Sequence, residues 1–155
     1  MSRFYDADVS IVTMVNEIVY ERFPNLRAAA IKVMMDSKSK VDKLTEKVTF
    51  AYIKCANEVE RFLTKSGNNI GGVDYFLFIN DLVWELADEK NKKRIISHEL
   101  RHAFVDEKGN FKTIKHDIED FYAEVRLNED DPMWGQALAT IAMAKIEHLK
   151  EEAKA

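Results

Sequence analysis

The chain is poor in the residues that usually mark special architectures. Its 155 residues include one cysteine, Cys55, two prolines and five glycines. A single cysteine excludes an intrachain disulfide and a four-cysteine zinc site, and it fits a reducing compartment. Because no proline-rich, glycine-rich or repeated segment marks a linker, we expect one domain over residues 1–155.

Long hydrophobic runs are also missing. The apolar runs are far shorter than the roughly 20 residues of a membrane helix, and the start, MSRFYDADVS, lacks the apolar core of a signal peptide. We therefore expect a cytoplasmic protein with no membrane partner. A net charge of −4 argues against broad binding to phosphate backbones, so nucleic acid is not expected as a partner. The oligomeric state stays open.

Hydrophobic periodicity predicts an α+β fold with a small mixed sheet of about three strands. Apolar residues at three- and four-residue spacing indicate a first helix and a last helix, and β-branched and aromatic runs indicate the strands. Asp88 is a candidate cap for a middle helix that extends to about Val105. The predicted ranges are 7–23 for the first helix, 31–35, 48–56 and 73–80 for the strands, and 133–150 for the last helix.

The middle helix carries the sequence His98-Glu99-Leu100-Arg101-His102, which is an H-E-x-x-H motif. Residues four apart project from the same face of a helix, so both imidazoles can reach one metal ion. Glu99 lies next to the first of them, where a carboxylate can take a proton from a water molecule held by the metal. The motif favours catalytic zinc, although a surface helix can carry these residues by chance.

A catalytic zinc ion needs a third protein ligand. Three of the four histidines fall between His98 and His116, and the segment after His102 is long enough for a turn and a return to the metal. We favour His116 because imidazole commonly accompanies two imidazoles. Glu119 and Glu124 are alternatives, and Glu119 is also a candidate to hydrogen-bond and orient a metal-binding histidine without touching the metal. The fourth histidine, His148, is expected on the surface of the last helix.

The run from VDYFLFIN through W-E-L, KRIISHELRH, a D-x-x-G turn and HDIEDF resembles the putative phage metallopeptidase family, which is itself similar to SprT-like zincins. The resemblance covers about residues 73–125. It implies a zincin-like fold, His98, His102 and His116 as zinc ligands, and Glu99 as general base. Many SprT-like proteins add a zinc ribbon or a DNA-binding segment, and we expect neither here.

The predicted function is zinc-dependent hydrolysis of peptide bonds in a protein or peptide substrate. Glu99 would accept the proton of the attacking water and pass it to the leaving amine. Tyr122, Arg126 and Arg101 are candidate donors to the developing oxyanion. A non-catalytic binding or regulatory protein with a zincin fold, and a hydrolase acting on something other than a peptide, are the competing interpretations. Glu99 argues against the first of these, since a structural zinc site needs no base. If the chain is phage-encoded, the cytoplasm is that of the host.

Overall fold

The computed structural model describes residues 2–39, 41–42, 47–115 and 122–154. Within them lie six α-helices and a short 3-10 helix, Pro24–Leu26. The helices are α1 Val9–Arg22, α2 Glu58–Leu63, α3 Asp81–Leu86, α4 Glu89–Arg101, α5 Tyr122–Leu127 and α6 Trp134–Lys154. The strands are β1 Phe4–Asp6, β2 Ile31–Asp36, β3 Val41–Asp42, β4 Lys47–Val48, β5 Ala51–Cys55, β6 Tyr75–Asn80, β7 Ala103–Val105 and β8 Phe111–Thr113.

A four-stranded mixed sheet forms the centre of the structure, with the strand order β1-β2-β6-β5. Strands β2 and β6 are parallel, whereas β1 and β5 are antiparallel to their neighbours. Alternating side chains point to opposite faces of a strand. Tyr75, Leu77 and Ile79 of β6 therefore share one face, and all three are fully buried.

The helices cover that face of the sheet. Buried side chains of α1, α3, α4 and α6 join those of β2 and β6 in one hydrophobic cluster. The opposite face carries a smaller cluster around Ala56, Val73 and Phe76, against which Met34 and Phe78 pack. Each large apolar side chain that is fully buried in these clusters stabilises the fold by roughly 1.5–3 kcal/mol. The motif helix α4 is thus anchored on the larger core.

The predicted α+β class is confirmed, and the predicted helices and strands correspond to α1, β2, β6, α4 and α6. The sheet has four strands instead of about three, because Phe4–Asp6 adds an edge strand. Its three residues are too few to give a periodic signal. Pairing of Phe4 with Asp36 and an Arg3–Asp36 ion pair of 2.8 Å hold it in place.

Two predicted element bounds are wrong. The strand expected over 48–56 is divided, with β4 ending at Val48 and β5 beginning at Ala51. The middle helix ends at Arg101 instead of near Val105, since Ala103–Val105 pairs with Phe111–Thr113 as a hairpin. Non-local pairing overrides local helix propensity there.

The spacing of the residues predicts one inner stripe on the last helix, formed by Trp134, Leu138, Ile141, Lys145 and Leu149. Trp134 and Leu138 are buried as predicted, whereas Ile141 and Leu149 are exposed, at 52% and 42%. Further along, the helix buries Ala142 and Ile146, one position round from Ile141 and Lys145. The helix extends to Lys154, beyond the predicted end at residue 150. None of the described helices is long and apolar enough to cross a membrane.

Candidate metal centre

Helix α4 is fixed at its start and along its inner face. Asp88 caps it, as predicted, by accepting a hydrogen bond of 2.8 Å from the backbone N–H of Asn91. Ile95, Ile96 and Leu100 are buried against the core. Since these apolar residues set the rotation of the helix about its axis, the motif side chains fall on a face outside the main core.

The three polar motif residues lie together. The ligand atoms of His98, Glu99 and His102 are all within 4.8 Å of one another. The two imidazole rings are 5.5 Å apart between centroids and inclined at 70°. Among the residues that the structure describes, this is the one group of three His, Cys, Asp or Glu side chains with a spacing suited to a metal ion.

His102 is oriented by the chain that returns to it after the β7–β8 hairpin. Its Nδ1 lies 2.7 Å from the carbonyl oxygen of Ile114, and the N–H of Ile114 lies 2.7 Å from the carbonyl oxygen of His102. A carbonyl can only accept, so Nδ1 carries the proton, and in a neutral imidazole Nε2 is then the unprotonated nitrogen, which is the form that binds a metal. Such outer contacts are typical of metal-binding histidines. The donor set therefore fits zinc.

Glu99 lies where the surrounding protein removes much of its hydration. Desolvation raises the pKa of Glu99 to about 8. A dication held by His98 and His102 would favour the ionised carboxylate and lower this pKa, because opposite charges a few ångströms apart stabilise each other. A bound metal ion would therefore be electrostatically linked to the Glu99 carboxylate.

The hairpin that follows α4 is closed by the turn predicted from the D-x-x-G sequence. One carboxylate oxygen of Asp106 accepts from the N–H groups of Lys108 and Asn110, at 2.9 and 2.8 Å. Gly109 has a φ of 81°, which a side chain would disfavour. This turn brings β8 and then Ile114 back to the end of α4.

On a neighbouring face of α4, a buried carboxylate ties α5 to the motif helix. Glu124 is 1% exposed, and its Oε2 accepts from the Ser97 hydroxyl and from Nε of Arg101, both at 2.9 Å. Its other oxygen, Oε1, has no hydrogen-bond partner among the described residues. The Arg101 guanidinium also lies 4.6 Å from the centre of the Phe23 ring.

The predicted site residues have different outcomes. The structure brings His98, Glu99 and His102 together, whereas His116 and Glu119 lie outside the described residues. Glu124 is described and lies outside the metal-capable group.

Two of the predicted oxyanion donors are also placed. Arg101 is paired with Glu124 and Arg126 is exposed. His148 is on the surface as predicted, 3.1 Å from Glu152.

Sequence reasoning missed three features of this region, namely the Ile114 carbonyl, the contact between Ser97 and Glu124, and the Tyr75 hydroxyl, which lies against the β7–β8 hairpin. The Ile114 carbonyl is a backbone group, so no residue type could have indicated it. The Ser97 hydroxyl and the carboxylate of Glu124 meet only because α5 packs on α4. Tyr75 carries the one side-chain hydroxyl in the apolar run 73–80, and that polar atom was the available signal.

The fold and the site together define an α+β protein with a metal-capable H-E-x-x-H helix. The chain belongs to the putative phage metallopeptidase family, whose model matches residues 2–149. This confirms the family indicated by the motifs and extends the match over the N-terminal helix and strands. Comparison with curated proteins gives no significant match, and comparison with solved structures gives none either.

Proposed function

We propose that this protein is a zinc-dependent peptidase that hydrolyses peptide bonds of a protein or peptide substrate. The observation that carries the proposal is the convergence of His98, Glu99 and His102 within 4.8 Å, with His102 oriented by the Ile114 carbonyl. The family to which the chain belongs supports metallopeptidase activity.

His98 and His102 are the residues that would hold the ion. Bound zinc would polarise the scissile carbonyl and lower the pKa of a water molecule toward about 7. Glu99 would accept one proton from the attacking water as the water oxygen bonds to the scissile carbonyl carbon. The C–N bond then breaks, and Glu99 returns the proton to the leaving nitrogen. The products are a carboxylic acid and an amine.

The proposed third ligand is His116. The Ile114 carbonyl lies against His102. Because two residues of extended chain span at most about 7 Å, His116 must follow within that distance of Ile114. Glu124 is engaged by Ser97 and Arg101, so it is a weaker candidate than the sequence alone indicated. Comparison of His116→Ala with Glu119→Ala in zinc titrations tests this assignment. We expect the larger loss of affinity for His116→Ala.

The activity is tested with the purified full chain, its Glu99→Gln variant and a His148→Ala control. The zinc content is measured by mass spectrometry of the metal, and cleavage is measured by the new termini formed in a synthetic peptide library. We expect Glu99→Gln to keep its zinc and to lose cleavage by a factor of about 10²–10⁴, the usual contribution of a general base. His148→Ala, which changes an exposed histidine on α6, should behave like the unmodified protein.

Two results would contradict the proposal. If Glu99→Gln cleaved peptides in a zinc-dependent way at the rate of the unmodified protein, Glu99 would not be the general base. Zinc content far below one equivalent in a metal-replete preparation would instead favour the non-catalytic binding protein.

A further inference from the structure

Tyr75 places a polar hydroxyl group within the hydrophobic core. Its side chain is fully buried at the start of β6, between β2 and β5. The hydroxyl lies 3.0 Å from the carbonyl oxygen of Phe104 and 2.8 Å from that of Lys112. Burial raises the pKa of Tyr75 to about 12, so the phenol is protonated at neutral pH, and its single proton is shared between these two carbonyl oxygens.

The two carbonyls belong to the opposite strands of the β7–β8 hairpin. Phe104 and Lys112 are paired in its ladder, so one hydroxyl contacts both strands at the same rung. The Tyr75 ring also meets the Phe111 ring edge to face, with centroids 5.6 Å apart. Beside it on β5, the Cys55 thiol lies 3.1 Å from the carbonyl oxygen of Phe111. These contacts fix the hairpin to the sheet.

The same hairpin determines the setting of His102. His102 immediately precedes Ala103 of β7, and Ile114 immediately follows Thr113 of β8; these two strand residues are paired. The Ile114 peptide then contacts both the backbone and the ring of His102 at 2.7 Å. A shift of the hairpin relative to the sheet would therefore change the distance between the Ile114 carbonyl and Nδ1 of His102.

We propose that Tyr75 is a positioning residue of the metal centre, whose hydroxyl fixes the hairpin that orients His102. The inference rests on the proposed zinc site. It deepens that proposal by identifying a residue that touches neither metal nor substrate. Replacement of the hydroxyl alone should leave the ring packing intact and release the hairpin, because Phe fills nearly the same volume.

The test compares Tyr75→Phe with Ile79→Val, a change at a fully buried residue of the same strand that faces the same core. Each variant should lower the melting temperature of the zinc-free protein by a few degrees, roughly 2–4 °C per lost hydrogen bond or methyl group. Zinc affinity is measured by competition with a chromophoric chelator. We expect Tyr75→Phe to bind zinc about tenfold more weakly, and Ile79→Val to bind it within twofold of the unmodified protein.

A second measurement follows His102 directly in the zinc-free protein. Imidazole ¹⁵N NMR, recorded above the histidine pKa and assigned with a His102→Gln variant, reports which ring nitrogen carries the proton. The Nδ1–H form should dominate in the unmodified protein and in Ile79→Val, and the Nε2–H form should grow in Tyr75→Phe. A Cys55→Ala variant, which loosens the same hairpin from β5, should shift both readouts in the same direction.

The outcomes are distinguishable. If the unmodified protein takes no zinc, the proposed function fails, and the NMR comparison still decides whether Tyr75 orients His102. An unchanged tautomer together with unchanged zinc affinity in Tyr75→Phe would overturn the inference. An equal loss of affinity in Tyr75→Phe and Ile79→Val would also overturn it, because the effect would then follow from general stability.

Discussion

Removal of the buried carboxylate of Glu124 should weaken the attachment of α5 to the motif helix. In Glu124→Ala, the Nε of Arg101 and the buried hydroxyl of Ser97 both lose an acceptor that now lies at 2.9 Å. Loss of one partner of a buried ion pair costs about 3–5 kcal/mol. The Arg101 side chain keeps 25% of its surface exposed, so water can replace part of that interaction. We expect a loss of about 2–3 kcal/mol.

That loss corresponds to a fall of about 5–10 °C in melting temperature for a chain of this size. Urea unfolding followed by circular dichroism gives the free energy of unfolding directly. Glu147→Ala is the matched control, since it removes an exposed glutamate from α6, and its effect should stay within about 0.5 kcal/mol.

A double-mutant cycle separates the ion pair from the other contacts of its arginine. Arg101 also packs on the Phe23 ring, and the cycle of Arg101→Ala with Glu124→Ala removes that contribution. We expect a coupling energy of about 1.5–3 kcal/mol, the usual value for hydrogen bonds to charged groups. A coupling below about 0.5 kcal/mol would refute the argument that the carboxylate anchors α5 through Arg101.

Two further predictions concern the pH dependence of stability and the backbone. The Arg3 guanidinium holds the pKa of Asp36 below its ordinary value of 3.8, so this pair stabilises the fold above pH 3.8 and stops doing so as Asp36 is protonated at lower pH. Arg3→Met should thus be less stable than the unmodified protein at pH 7, and urea unfolding at lower pH should show the difference shrinking; a difference independent of pH would exclude the ion pair as its cause. Gly72→Ala should unfold the protein or cost more than about 3 kcal/mol, because φ is 77° and a Cβ would lie 2.0 Å from the Arg61 carbonyl oxygen. Gly67→Ala, where no atom lies within 4 Å, should be tolerated in the same thermal melts, and equal stability of the two variants would contradict the steric argument.

The local geometry of the motif follows from sequence alone. An α-helix places residues i and i+4 on one face whatever surrounds it, so the side chains of His98 and His102 lie on the same side of α4. The cap at Asp88 and the turn at Asp106 were also predictable, because short side-chain acceptors satisfy nearby N–H groups in a few stereotyped ways.

Other features were not predictable because they depend on distant segments. The end of α4 at Arg101 is set by pairing between β7 and β8, and the edge strand β1 exists because it pairs with β2. Which residues α6 buries depends on how the helix packs against the other elements of the core. Ile141 and Leu149 are as apolar as the residues that the helix buries, so composition could not choose between the two stripes.

The sequence by itself determined that two imidazoles share one helix face and that a carboxylate follows the first of them, since this requires only the helical repeat. Only the tertiary structure decided which nitrogen of His102 carries the proton, because the Ile114 carbonyl reaches Nδ1 through a hairpin that Tyr75 joins to the sheet. It also decided that Glu124 binds Ser97 and Arg101 instead of joining the two histidines. Helical spacing is a local property of the backbone, whereas these contacts join residues more than ten positions apart, and only packing brings them together.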